Sequence, residues 1–185
     1  AFKNAKEKKR PALLTYTVAG DNTKKKSLDI LKSISKNVDI CEIGFPHNTP
    51  IADGGQIQTS AYRALKNGLK ISDVFQIVKD FKKTKNSKPV ILMGYYNMIY
   101  QYGENNFIKK CKSSGVNGLI VVDLPWPENK GFAKKCKAKA ISFVQLLSPT
   151  TSKERLKNIV KDSHDMIYYI SCLLYTSDAA DDLLC

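Results

Sequence analysis

Glu42 stands inside the apolar run Ile40-Cys41-Glu42-Ile43-Gly44-Phe45. A second acid, Asp53, follows in the Pro- and Gly-rich stretch Pro46-His47-Asn48-Thr49-Pro50-Ile51-Ala52-Asp53-Gly54-Gly55. Burying a charge is costly unless it is paired or used, so Glu42 requires a partner or a task. One role is a core acid paired with a lysine or arginine. The other is a carboxyl group of raised pKa that moves protons in a closed pocket. Residue pattern alone leaves both open, because structural ion pairs also perturb acids.

The elements that must position these acids are short β-rich runs alternating with amphipathic helical ones. Strands are expected over Ala12–Ala19, Val38–Phe45, Pro89–Tyr95, Gly118–Leu124, Ala140–Leu146 and Met166–Ser171. Helices are expected over Lys24–Ser35, Ile57–Asn67, Ser72–Lys83, Asn105–Ser114, Glu128–Lys137 and Ser152–Val160. Thr151 with Glu154 reads as a capping box, and Ser72 as a second helix cap. Such alternation implies a parallel sheet with right-handed crossovers. The first strand runs into Gly20-Asp21-Asn22-Thr23 rather than a Gly-x-Gly-x-x-Gly turn, which argues against a dinucleotide fold. Asp21, Asn97 and Asp123 fall at strand ends, which suits a (β/α) barrel with its chemistry at the C-terminal face.

Strand alternation places Ile40, Glu42 and Gly44 on one side and Cys41, Ile43 and Phe45 on the other. If the bulky set packs against helices, Glu42 points into the barrel mouth and Gly44 leaves space beside it. The same period lets Met93, Tyr95 and Tyr168 line the cavity, although any single aromatic there is more commonly core.

Composition narrows the class. The 185 residues, 43% of them hydrophobic, suffice for one core but not two comfortable domains. No apolar run approaches the ~20 residues of a membrane span, and Ala1–Lys6 has no signal-like apolar stretch. The lack of an initiating Met suggests a missing or processed start. Lys+Arg number 30 against 17 Asp+Glu, net +13. The lysines lie in helix-like segments without interleaved aromatics, so a solvated shell accounts for them better than a nucleic-acid surface. Five scattered cysteines show no metal spacing with His47 or His164 and fit reduced thiols in a cytoplasmic protein. His47 is expected at the surface and His164 beside a helix C-terminus.

Several motifs together resemble the tryptophan synthase α-subunit family: Thr17-Val18-Ala19-Gly20-Asp21, the Glu42-to-Gly54 segment, and Gln56-Ile57-Gln58 through Ala61-x-Arg63-Ala64-Leu65. They continue with Leu92-Met93-Gly94-Tyr95-Tyr96-Asn97, Val122-Asp123-Leu124-Pro125 and Ile167-Tyr168-Tyr169-Ile170-Ser171. The resemblance runs from about Pro11 to Ser171. It implies a (β/α)8 TIM barrel, incomplete here with about six β/α units. It also implies a lyase that splits indole-3-glycerol phosphate into indole and glyceraldehyde 3-phosphate. By the same resemblance, Glu42 is the proton donor and acceptor, and Asp53 accepts the indole N–H and stabilises the charge that develops on the ring. Tyr168, Tyr95, Ile57, Met93, Ile120 and Tyr16 are the implied substrate-binding residues. Pro46, Thr49, Pro50 and Asn97 are the implied contacts to a β subunit in an α2β2 complex. No metal or cofactor is expected in this chain; the family's pyridoxal phosphate resides in the β subunit.

The chain departs from the family at Asn48-Thr49-Pro50, where Ser-Asp-Pro is common, and at Gly55, where proline is frequent. The first change removes a carboxylate from the partner-facing loop. After Ser171 the family continues with a Gly-Val-Thr-Gly-like loop that begins the phosphate site. The string Cys172–Cys185 instead resembles a translated sequencing adaptor. Residues 1–171 are therefore expected to form a partial barrel, with 172–185 a non-native, poorly packed tail; a divergent natural tail is the alternative. Phosphate usually binds after strands seven and eight, so the chain as written is expected to be unstable and inactive. Indole release near an intact relative's rate would refute that.

Other readings are a sugar-phosphate isomerase or epimerase barrel, a non-catalytic activating subunit, and a basic nucleic-acid module. The Glu42/Asp53 pair with an indole-sized apolar pocket argues against the first, and retention of both acids against the second. Steep salt-dependent retention on nucleic acid would mark the third.

Overall fold

A computed structural model describes residues 1–85 and 87–170 of the chain. The 172–185 string and Ser171, the last residue of the sixth expected strand, lie outside the described residues. A short helix, α1 (Phe2–Glu7), precedes β1 (Leu14–Val18), β2 (Ile40–Gly44), β3 (Val90–Gly94), β4 (Gly118–Val121) and β5 (Ser142–Phe143). The five strands form one parallel sheet in the order β1-β2-β3-β4-β5. The chain then crosses Val144, whose N–H donates to the Leu119 carbonyl at 2.9 Å. It continues as β6 (Gln145–Leu147), which pairs in parallel with β7 (Ile167–Tyr169). The expected strand at Ala140–Leu146 is thus one strand position bent at Val144.

Spatial order follows chain order without reversal. A doubly wound sheet reverses at a switch point; here every right-handed crossover advances in the same direction, so the helices cover one face and the other turns inward. The described residues supply six successive strand positions of a (β/α)8 barrel. Its outer layer is α2 (Lys24–Ile34), α3 (Gly55–Lys66), α4 (Ile71–Lys82), α5 (Tyr96–Tyr102), α6 (Glu104–Ser114), α7 (Lys130–Ala138) and α8 (Lys153–Asp162).

Two apolar clusters follow from the strand period. Cys41, Ile43, Phe45, Val90, Leu92 and Leu119 pack outward against Leu31, Phe75, Phe81 and Phe107 of the helices. Ile40, Ile91, Ile120 and Val144 face inward with Leu14, Met93, Val122, Leu146, Met166 and Tyr168. Gly94 is the tight point of the outer cluster, since a Cβ there would fall 2.2 Å from the Phe45 ring. Phe45 in turn stacks edge-on against Phe107 with centroids 6.0 Å apart. Gly94→Ala is therefore expected to cost about 1–3 kcal/mol through overpacking. Urea unfolding checks it, and an unchanged midpoint would refute it.

Local capping differs from expectation in three places. Helix α4 begins at Ile71, with the Asp73 carboxylate accepting the Lys70 N–H at 2.9 Å, so Ser72 lies in the first turn and caps nothing. Helix α8 is capped by Ser152, whose Oγ accepts the Arg155 N–H, while Thr151 Oγ1 accepts the Ser148 N–H of the preceding loop. The cap sits one residue later than the Thr151–Glu154 spacing suggested. Helix α5, which is not among the helices expected from the sequence, starts at Tyr96, where the Asp123 carboxylate accepts its N–H at 2.7 Å.

Candidate active site

Glu42 lies mid-strand on β2, whose five residues are all buried. Its neighbours in register are Tyr16 on β1 and Ile91 on β3. Parallel neighbours share a face, and Ile91 belongs to the inner cluster, so Glu42 points inward. The side chain is 4% exposed, and Oε1 has no hydrogen-bond partner among the described residues. No lysine or arginine of the described residues pairs with it. The ion-paired core acid therefore falls away, and burial raises the Glu42 pKa. Burial thus favours the protonated form of Glu42, the form that can donate.

Asp53 reaches the same mouth from the loop joining β2 to α3. Its N–H donates to the Pro50 carbonyl at 3.1 Å, and the Gln58 side chain donates to its carbonyl at 2.8 Å. Tyr95, at the end of β3, closes the arrangement. Its hydroxyl accepts the Ala52 N–H at 2.9 Å and donates to Asp53 Oδ2 at 3.1 Å. Burial raises the Asp53 pKa, and the Tyr95 hydrogen bond and nearby His47 offset part of that rise. The result is one acid held by a hydroxyl and another whose Oε1 has no partner among the described residues, both close enough to act on Tyr16.

Tyr16 links them: burial, then Asp53, Tyr95 and Glu42, raise its phenol pKa. Tyr168 faces inward from β7, its pKa raised by burial and then by Glu42. Met93 is partly buried, and Ile120, in register with it, is fully buried in the same inner cluster. Ile57, on the first turn of α3, packs with the helix-side cluster, as Tyr16 does. It borders a small cleft with Tyr16 and Val18. Met93, Ile120 and Tyr168 share the inner cluster, whereas Tyr16, although in register with Glu42, and Ile57 both pack against the helix-side cluster.

The partner-facing loop is exposed at Thr49, half-exposed at Pro50, and buried at Pro46. Pro46 is thus a packing residue rather than a free contact, since it follows directly on the buried end of β2. His47 is half-buried, not at the surface as expected. Its ring lies 5.0 Å from that of Tyr95, and its Nδ1 accepts the Thr49 N–H. Asn97 is exposed on α5. Asp21 forms a two-pronged pair with Arg63 at 2.7 and 2.8 Å, which ties the end of β1 to α3. Asp123 is spent on capping α5. Two of the acids at strand ends are thus structural. Gln58 was not singled out as an Asp53 anchor; the signal available was an amide at the first turn of the helix following the acidic loop.

A cleft of about 760 Å³ lies elsewhere, between α7, α8 and β5, lined by Lys130, Lys134, Ser142 and His164 among others. Neither acid borders it. Among the described residues no group of three or more His, Cys, Asp or Glu side chains could hold a metal ion. None of their helices is long and apolar enough to cross a membrane.

A family profile described as tryptophan synthase alpha chain matches residues 2–182. The tryptophan synthase alpha chain of Pelagibacter ubique (strain HTCC1062) is 78% identical over 176 residues, covering 95% of this chain and 66% of that relative. A chain of the tryptophan synthase complex from Pyrococcus furiosus superposes with a TM-score of 0.83 at 42% identity, over 89% of this chain and 66% of that one. The tryptophan synthase subunit alpha of Legionella pneumophila str. Paris gives a TM-score of 0.87 at 34% identity, over 92% and 65%. The chain thus spans just under two thirds of the length of these relatives.

Proposed function

The chain belongs to the tryptophan synthase alpha chain family, and from that premise we propose that it carries the proton-transfer site of a lyase cleaving indole-3-glycerol phosphate into indole and glyceraldehyde 3-phosphate, a step of tryptophan biosynthesis. One observation carries the reading: Glu42 is buried without a cationic partner, in the same mouth as the hydrogen-bonded Asp53. Glu42, whose protonated form burial favours, gives its proton to the indole ring carbon that bears the side chain. The ring becomes a cation, and its N–H donates to the Asp53 carboxylate, which stabilises that charge. The Glu42 carboxylate then takes the proton of the adjacent side-chain hydroxyl. As that oxygen forms the aldehyde, the carbon–carbon bond breaks and its electron pair returns to the ring. Glu42 ends protonated, ready for another cycle. Met93, Ile120, Tyr168 and the ring of Tyr16 supply flat apolar walls for the bicyclic ring.

The sequence of proton transfers needs no electron sink, so no resident cofactor is proposed. The proposed partner is a pyridoxal-phosphate-bearing β subunit in an α2β2 complex, an assembly named for the Pyrococcus protein. Thr49, Pro50 and Asn97, with Ile51 and Tyr100 each 69% exposed, offer a mixed apolar and polar face on the side of the strand ends. Buried free thiols at Cys41, Cys111 and Cys136 suit a reducing cytoplasm. The phosphate cradle that the family resemblance places after strands seven and eight lies outside the described residues.

The test uses residues 1–170 continued by the corresponding C-terminal part of the Pelagibacter relative, beside the 185-residue chain itself. The extended chain is expected to release indole from indole-3-glycerol phosphate, followed by chromatography. Absence of indole with a folded extended chain would overturn the reading.

A further inference from the structure

Tyr16 and Glu42 are side by side on the inner face, in register across β1 and β2. The Tyr16 ring lies over Gly44, toward the carboxyl end of the strands. A methyl group at Gly44 would fall 1.9 Å from its Oη and 2.6 Å from its Cζ. Gly44 is therefore the vacancy that admits this phenol. No hydrogen bond among the described residues engages the Tyr16 hydroxyl, and Glu42 Oε1 also lacks a partner among them. A buried polar group left unpaired costs ~1–3 kcal/mol. Glu42 Oε1 is the fully buried one of the two, and the Tyr16 hydroxyl stands on the neighbouring strand of the same face, so a hydroxyl-bearing ligand there satisfies both.

We propose that the Tyr16 hydroxyl donates a hydrogen bond to the substrate side-chain oxygen that Glu42 deprotonates, stabilising the alkoxide as the carbon–carbon bond breaks. This rests on the lyase reading above and adds a third polar group to it. Glu42 takes the proton, the oxygen keeps its electron pair to form the aldehyde, and the broken bond's pair returns to the ring. Tyr16 keeps its own proton throughout; burial, followed by the nearby Asp53, Tyr95 and Glu42, makes the phenol a poor acid and hence a lasting donor. The ring alone gives flat contact, so the hydroxyl is the part that distinguishes an oxygenated side chain from a bare one.

Tyr16→Phe removes the donor and keeps the ring. In the extended chain, kcat is expected to fall about 10²-fold with little change in KM, as for loss of one preorganised donor. In the extended chain carrying Glu42→Gln, which leaves the substrate intact, titration followed by NMR compares indole-3-glycerol phosphate with 3-(indol-3-yl)propyl phosphate, which lacks both side-chain hydroxyls; the comparison is made with Tyr16 and with Tyr16→Phe. The chain with Tyr16 is expected to favour the hydroxylated ligand by about tenfold, worth ~1.4 kcal/mol, and Tyr16→Phe to lose that preference while binding the deoxy ligand unchanged. An unchanged kcat, an unchanged preference, or equal weakening of both ligands would overturn the role of the hydroxyl, the last by marking a packing effect. Absence of indole release by the wild-type extended chain would overturn the lyase reading, and this inference with it.

Discussion

Glu42→Gln is expected to lower kcat for indole release from the extended chain by about 10²–10⁴-fold, the range for loss of a positioned general acid–base. KM should change little, because the amide occupies the same volume in the buried face of β2 and the lost interaction belongs to proton transfer. Gln can neither deliver a proton to the ring carbon nor remove one from the hydroxyl, so both halves of the reaction fail together. Turnover within threefold of wild type would refute the assignment.

The same substitution has a stability consequence of opposite sign. Burial raises the Glu42 pKa in the folded state above the ~4.3 of an unfolded glutamate. The folded state therefore binds the proton more tightly, and the stability this contributes is fully present below the unfolded pKa. It is lost as pH rises through the folded pKa. The amide of Glu42→Gln carries no such titration. The variant should match wild type below about pH 4 and exceed it at neutral pH, as read by urea midpoints across pH. A variant less stable than wild type at pH 7 would mean that the charged carboxylate has a stabilising partner.

Asp53→Asn is expected to cost about 10²–10³ in kcat, ~3–4 kcal/mol, by analogy with removal of one preorganised charge-stabilising group. The asparagine oxygen still accepts the Tyr95 hydroxyl, and the Ala52–Tyr95 hydrogen bond does not involve the acid, so the loop keeps its shape. What disappears is the negative charge facing the cationic ring. A deoxy analogue has no ring charge and should bind almost normally, which separates loss of charge stabilisation from loss of the pocket. Indole release at more than a third of the wild-type rate would refute the role.

How far these sites could be read beforehand differs residue by residue. Glu42 stood out because an acid inside an apolar β-run is expensive, and the two-residue period already set Ile40, Glu42 and Gly44 against Cys41, Ile43 and Phe45. The two apolar clusters follow that division. Helix α5 was not among the expected helices; its first N–H is satisfied by Asp123, a side chain 27 positions away in sequence. Ile57 is carried by α3 rather than a strand, so the two-residue period says nothing of its direction; it packs against the helix layer together with Tyr16. The Thr151 and Ser152 hydroxyls are adjacent, and only the turn at Ser148 decides which of them caps α8.

By itself, the chain's pattern determined the alternating architecture and the inward direction of Glu42. Period and burial cost are local properties, legible over five or six residues. Tertiary structure alone decided that Glu42 has no cationic partner, that Tyr95 holds Asp53, and that the Tyr16 phenol lies over Gly44. Each depends on side chains from separate strands meeting in one layer. That meeting is set by strand register and the inward turn of the sheet, which no short stretch of residues encodes.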